Sequence, residues 1–162
     1  MKLRSVSLHY KGGETFAGRT GTGRAYVFGD VLAENEYSPM ESIVASLAAC
    51  TAMDVIGILV KKRQAVDTYD VEARGEQRLE YPQVLTSVEV VHVIEGPVLL
   101  EQAVRRAIEL SATKYCPVNA MLSSGATEIQ HRYRMTCTGL DKHEAEGLVV
   151  VTGPFRRPDV VE

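Results

Sequence analysis

Three cysteines, Cys50, Cys116 and Cys137, are the residues of this chain suited to nucleophilic or redox chemistry. They are too few and too widely spaced for the disulfide framework of a small secreted protein or for a zinc ribbon. In a reducing compartment such thiols invite a catalytic or redox role. A thiol reacts as its thiolate, so reactivity needs a cation or oriented donors close by, whereas burial alone raises the thiol pKa. Cys50 falls in the middle of a long apolar segment, where a lone cysteine usually serves as a small hydrophobe. Cys116 precedes Pro117, which suggests the N-cap of a short helix, where free N–H groups and the helix dipole favour a thiolate; Lys114 adds positive charge. A capping and packing role explains Cys116 equally well. Cys137 ends a strand-like stretch and reads as a packing thiol.

Several charged residues bear on the thiols. Asp54 lies one helical turn beyond Cys50 on the same face, so its charge opposes a thiolate unless a cation or hydrogen bonds neutralise it. It reads as a buried partner for another group. Glu41 stands three residues after Ser38, and the two form a capping box. Nine residues separate Glu41 from Cys50, which on one straight helix puts them about 180° apart and roughly 13 Å along the axis. They cannot touch within an unbroken helix. The four histidines, His9, His92, His131 and His143, are scattered without metal-ligand spacing, and His131 reads as a half-buried surface residue on a strand. Gly21-Thr22-Gly23 lacks the further glycine and helix of a dinucleotide fingerprint and the Gly-Lys-Ser/Thr of a phosphate loop, so no cofactor is expected.

The elements that must position these residues follow from hydrophobic period and turn signals. Leu3 to His9, Glu14 to Ala17 and Arg24 to Phe28 read as three short antiparallel strands divided by Lys11-Gly12-Gly13 and Thr20-Gly21-Thr22-Gly23. Ser38-Pro39-Met40-Glu41 starts a helix. Residues Ser42 to Val60 are apolar almost all round and long enough for a membrane span. Asp54 at mid-length, the small residues Ala45, Ala48, Ala49, Ala52 and Gly57, and the closing Lys61-Lys62-Arg63 favour a central helix packed on every side. Val66 to Arg78 and Val84 to Ile94 alternate as long strands of a second sheet. Pro97 opens an amphipathic helix ending before Cys116, Pro117 to Leu122 forms a short helix, and Thr127 to Cys137 returns to strand. Beyond it, Leu148 to Val151 reads as an edge strand and Pro154 to Pro158 as irregular. The layout is α+β.

A chain of 162 residues with 45% hydrophobic and 24% charged residues fits one globular domain that stands on packing alone. With 18 basic and 21 acidic residues there is no basic footprint for nucleic acid. The first residues alternate polar and apolar and lack the apolar core of a signal peptide, which suggests a cytoplasmic protein with no membrane partner.

Ser38-Pro39-Met40-Glu41-Ser42-Ile43-Val44-Ala45-Ser46-Leu47-Ala48-Ala49-Cys50-Thr51-Ala52-Met53-Asp54-Val55 resembles the first cysteine motif of the OsmC/Ohr superfamily, and Lys114-Tyr115-Cys116-Pro117-Val118 resembles the second. Leu59 to Gln64, Tyr81-Pro82 and Glu128 to Tyr133 are similar to the OsmC-like branch. The resemblance covers about residues 1–137, a single OsmC-like domain, and leaves 138–162 as a C-terminal extension. It implies antiparallel sheets packed around two long central helices in an interlocked homodimer, with the helices crossing at the interface and each active site built from both chains. It also implies a peroxiredoxin-like hydroperoxide reductase of the oxidative stress response. Cys50 would attack the peroxide and become a sulfenic acid, Cys116 would condense with it to a disulfide, and an external dithiol would reset the pair. In hydroperoxide reductases of the superfamily an arginine of the N-terminal sheet, held by a glutamate at the start of the long helix, stabilises the attacking sulfur and the departing oxygen. Glu41 matches that glutamate; Arg19, ranked first, and Arg24 are the arginines to consider, though each fits a solvated turn residue too.

The apolar surroundings of Cys50 suggest a pocket for organic hydroperoxides, with hydrogen peroxide a further substrate, lined by residues such as Leu47, Met53 and Met121. A different class of function, a non-enzymatic redox sensor or small-ligand binder that keeps the thiol pair without the activating arginine, fits the same residues. A third is a structural dimer in which both cysteines only pack.

Overall fold

The computed structural model describes residues 3–29 and 36–154. The expected irregular stretch at Phe155 to Pro158 lies outside them. Backbone contacts group the chain into two units, Met1–Ile43 and Val44–Glu162.

The first unit carries a three-stranded antiparallel sheet in the order β1 (Val6–Gly12), β2 (Thr15–Thr20), β3 (Ala25–Phe28). β1 starts three residues later than the sequence suggests and runs to Gly12. The β1–β2 turn falls at Gly13 and Glu14, and the positive φ angles of 116° and 56° at Gly12 and Gly13 suit glycine. The second turn is closed by Thr20 N–H donating to the Arg24 carbonyl and Gly23 N–H to that of Thr20.

Helix α1 (Pro39–Lys61) begins at the proline with Ser38 before it. Ser38 N–H donates to Glu41 Oε2 at 3.3 Å, one arm of the capping box. The helix buries a single stripe, Leu47, Thr51, Val55 and Leu59, at four-residue intervals. It is therefore not packed on every side, as its apolar sequence suggests: Ala45, Ala49, Met53, Gly57 and Val60 are exposed. Its length and hydropathy suffice to cross a membrane, and 22% of its most apolar window is buried.

The second unit is built on a four-stranded sheet in the order β4 (Thr68–Gln77), β5 (Leu85–Gly96), β6 (Glu128–Cys137), β7 (His143–Thr152). β5 and β6 run parallel and the other pairs antiparallel, so the expectation of wholly antiparallel sheets does not hold. A parallel pair requires a crossover. It is supplied by α2 (Glu101–Leu110), a π-helical turn (Ser111–Tyr115) and α3 (Pro117–Ser123). α2 starts at Glu101 rather than Pro97 because Val98 is held extended by a bridge to Ala65, and Gln64 Oε1 accepts the Leu100 N–H. β7, longer than Leu148 to Val151, forms the sheet's edge.

The inward faces of β5 and β6, together with Val55 and Leu59 of α1 and Val104, Ala107 and Ile108 of α2, make one apolar core. Each such aliphatic side chain taken from water contributes about 1.5–3 kcal/mol. Cys137 lies in this core, its Sγ 3.6 Å from the Pro97 carbonyl, as a packing thiol.

Candidate active site

Cys50 and Asp54 are four residues apart on α1 and so share a face. The crossover brings Cys116 to them: the Cys50 Sγ, a carboxylate oxygen of Asp54 and the Cys116 Sγ all lie within 4.8 Å of one another. Both thiols are free. Cys50 is half-buried and Cys116 is 3% exposed.

Cys116 is placed by the end of the crossover. The π-helical turn stops at Tyr115, Cys116 is extended at φ −73° and ψ 107°, and Pro117 opens α3. Its Sγ accepts the Asn119 N–H at 3.3 Å, the N-cap bond expected from Cys-Pro. The cap does not make Cys116 acidic. Burial, and then the hydrogen bond with Cys50, push its pKa up to about 12, against the pull of the Asn119 N–H. Near neutrality Cys116 is a thiol.

Asp54 has the partner its position demands. Ser111, buried and first in the π-helical turn, donates its hydroxyl to Asp54 Oδ2 at 3.0 Å. π-Helical turns recur at functional sites because they re-aim side chains off the regular helical face.

Beneath Cys116 runs a buried polar chain. Asn119, 1% exposed, donates from Nδ2 to the Ala112 carbonyl at 2.8 Å and to Thr152 Oγ1 at 3.1 Å, which leaves Oδ1 as an acceptor. His131 Nε2 lies 2.9 Å from that oxygen, His92 Nε2 lies 3.4 Å from His131 Nδ1, and the Tyr69 hydroxyl lies 2.7 Å from His92 Nδ1. One proton arrangement satisfies every link: Tyr69 donates to His92, His92 to His131, and His131 to Asn119. Both imidazoles are then neutral. Burial lowers the pKa of His131 to about 4, and burial followed by the neighbouring His131 lowers that of His92 to about 3. Burial raises that of Tyr69. No buried side-chain nitrogen or oxygen among the described residues lacks a partner.

His131 is thus fully buried rather than a half-buried surface residue. It occupies the core face of β6 with Ile129 and Tyr133, next to β5, a pairing the sequence does not display. Ser111, Asn119 and Tyr69 carry no signal in the sequence, where His92 is only one of four scattered histidines. His92 within the apolar run from Val88 to Ile94 was the one available signal.

The remaining residues of interest lie in the first unit, with local contacts. Arg19 donates from Nη1 to the Gly23 carbonyl at 3.3 Å across its own turn. The Arg24 N–H donates to Thr20 Oγ1 at 3.1 Å, and Glu41 accepts from Ser38. Of the three apolar residues expected to line a pocket, Leu47 is fully buried, whereas Met53 and Met121 are 75% and 68% exposed.

The family model described as OsmC-like protein matches residues 32–132. Protein YhfA of Escherichia coli strain K12 is 36% identical over 123 residues, which span 76% of this chain and 91% of YhfA. A hypothetical protein from Aquifex aeolicus has a similar structure, with a TM-score of 0.72 and 31% identity over 83% of this chain and 98% of its own. The organic hydroperoxide resistance protein OhrB of Bacillus subtilis shares the fold at a TM-score of 0.58 and 13% identity, over 82% of this chain and 98% of OhrB. This chain belongs to the OsmC-like family.

Proposed function

We propose that this protein is a thiol-dependent peroxidase that reduces organic hydroperoxides, and hydrogen peroxide as well, through Cys50 and Cys116. The observation that carries the reading is the pairing of a half-buried and a deeply buried thiol within 4.8 Å. The half-buried sulfur is the one a peroxide can reach, and the high pKa of Cys116 leaves the nucleophile's role to Cys50. The Cys50 thiolate attacks one peroxide oxygen, the O–O bond breaks, and the alkoxide leaves as an alcohol after taking a proton. Cys50 becomes a sulfenic acid. The Cys116 thiol attacks that sulfur, a disulfide forms and water leaves. An external dithiol then donates two electrons and two protons to restore both thiols.

Sulfurs already within 4.8 Å must close to about 2.05 Å, a movement within reach of side-chain rotation and a small backbone shift. An arginine of the N-terminal sheet, Arg19 ahead of Arg24, with Glu41 orienting it, would supply charge for the thiolate and the leaving oxygen. Residues 1–137 carry the chemistry, with 138–162 following as an extension whose strand β7 completes the sheet, and the protein works in the cytoplasm.

The working form is an interlocked homodimer with the two copies of α1 crossing. Ala45, Ala49, Met53, Gly57 and Val60 leave an exposed apolar stripe on α1, and a Cβ added at Gly57 meets nothing within 4 Å. Small residues on such a face allow close helix approach, and the partner copy would complete the pocket expected around Cys50.

Steady-state reduction of cumene hydroperoxide with a dithiol tests the reading. Turnover lost in Cys50→Ser supports it; turnover unchanged in that variant removes Cys50 from the chemistry. The second reading, a redox sensor or small-ligand binder, is favoured by one observation, the Arg19 guanidinium bonded to its own turn. Stoichiometric oxidation with no cycle under any dithiol would select it.

A further inference from the structure

The three atoms that converge at the site are also a ligand set. Two sulfurs and a carboxylate oxygen within 4.8 Å of one another combine soft donors with one hard donor, a set suited to zinc and poorly suited to magnesium or calcium, which take oxygen ligands. Around a tetrahedral Zn2+ with Zn–S near 2.3 Å and Zn–O near 2.0–2.2 Å, ligand atoms stand roughly 3.5–3.8 Å apart. At most about 1.3 Å of closure is needed.

Two outer hydrogen bonds are already in place. Ser111 Oγ donates to Asp54 Oδ2 at 3.0 Å, which leaves the carboxylate further lone pairs to ligate, and the Asn119 N–H donates to the Cys116 sulfur at 3.3 Å, a contact that holds a metal-bound thiolate equally well. Such outer partners orient ligands and are part of a metal site's affinity. The ligands sit on rigid elements: Cys50 and Asp54 share one face of α1, and Cys116 is fixed between the π-helical turn and α3.

We propose that the reduced protein binds one Zn2+ per chain through the Cys50 Sγ, an Asp54 carboxylate oxygen and the Cys116 Sγ, with a water in the fourth position. Binding displaces the two thiol protons, and because both sulfurs are then committed to the metal, disulfide formation and metal binding exclude each other. The assignment stands on ligand geometry and holds whether or not the protein turns over peroxides.

The test is titration of the reduced, full-length protein with ZnCl2 against a chromophoric zinc chelator, repeated with CoCl2 to read the thiolate-to-cobalt charge-transfer band. One equivalent of Zn2+ per chain, a charge-transfer band that falls by about half in Cys50→Ser, and affinity unchanged in Cys137→Ser are the results expected. Ser111→Ala should weaken binding about 10-fold or more, as outer-partner losses typically do. Asp54→Asn, close to isosteric and checked by circular dichroism, should weaken it further than Ser111→Ala. No binding by the wild type, or wild-type affinity in folded Cys50→Ser or Asp54→Asn, would overturn the site. Loss of peroxide turnover with zinc binding intact would count only against the peroxidase.

Discussion

His131 Nε2 lies 2.9 Å from Asn119 Oδ1, and through that bond the sheet's core holds the helix turn that caps Cys116. The relationship joins a strand residue with no exposed surface to the deeper of the two paired thiols. It also sets the proton positions of Tyr69, His92 and His131.

Replacing His131 by leucine leaves Asn119 Oδ1 and the His92 Nε2–H buried without partners. At about 1–3 kcal/mol for each orphaned group, denaturant unfolding should show a loss of about 2–6 kcal/mol. The Cys116 thiol of the reduced variant should also be alkylated faster by iodoacetamide than in wild type. Equal stability and equal alkylation would mean that the chain of bonds holds nothing.

The same two imidazoles make stability fall in acid. In the unfolded chain each histidine takes up a proton near pH 6.5, whereas in the folded protein their pKa values are lowered to about 3 and 4. Between those limits the unfolded state binds more protons, so each histidine contributes a slope of up to about 1.4 kcal/mol per pH unit, with stability rising as pH rises. Their contribution is fully present above about pH 7 and drains away from about pH 6.5 down to about 4 for His131 and about 3 for His92. Unfolding curves across that range, compared with a His92→Gln/His131→Gln variant, should show the steeper dependence in wild type. Parallel curves would contradict the neutral, buried pair.

Gly57 separates chain stability from assembly. It is exposed on α1 and a side chain there has open space, so Gly57→Leu should leave the monomer fold intact and add up to about 1 kcal/mol of helix propensity. If α1 packs on a second copy through this face, the branched side chain forces the helices apart. Sedimentation velocity should then show a monomer for the variant and a dimer for wild type. A dimer of unchanged affinity would place the interface elsewhere.

What the sequence made legible was local. Ser38-Pro39-Met40-Glu41 marked the start of α1, and Cys116-Pro117 marked the cap of α3, because capping chemistry is written within four residues. The β4, β5 and β6 strands followed from period-two alternation, with boundaries displaced by one or two residues. The parallel pairing of β5 and β6 was not legible, since it depends on a crossover whose direction no single segment encodes. Without that pairing His131 reads as a surface residue, and the link to Asn119 stays hidden. The apolar length of α1 likewise does not tell which faces are covered within one chain. Asp54 was recognised as needing a partner, but Ser111 lies 57 positions away and only the fold brings it near.

The most direct test of the account is mass mapping of the reduced protein after a single equivalent of cumene hydroperoxide. The account predicts loss of two thiols per chain and a peptide pair joined between Cys50 and Cys116, with Cys137 still free. It also predicts that Cys116→Ser stops at a sulfenic acid on Cys50. Oxidation confined to Cys137, or no disulfide between residues 50 and 116 despite peroxide consumption, would contradict it.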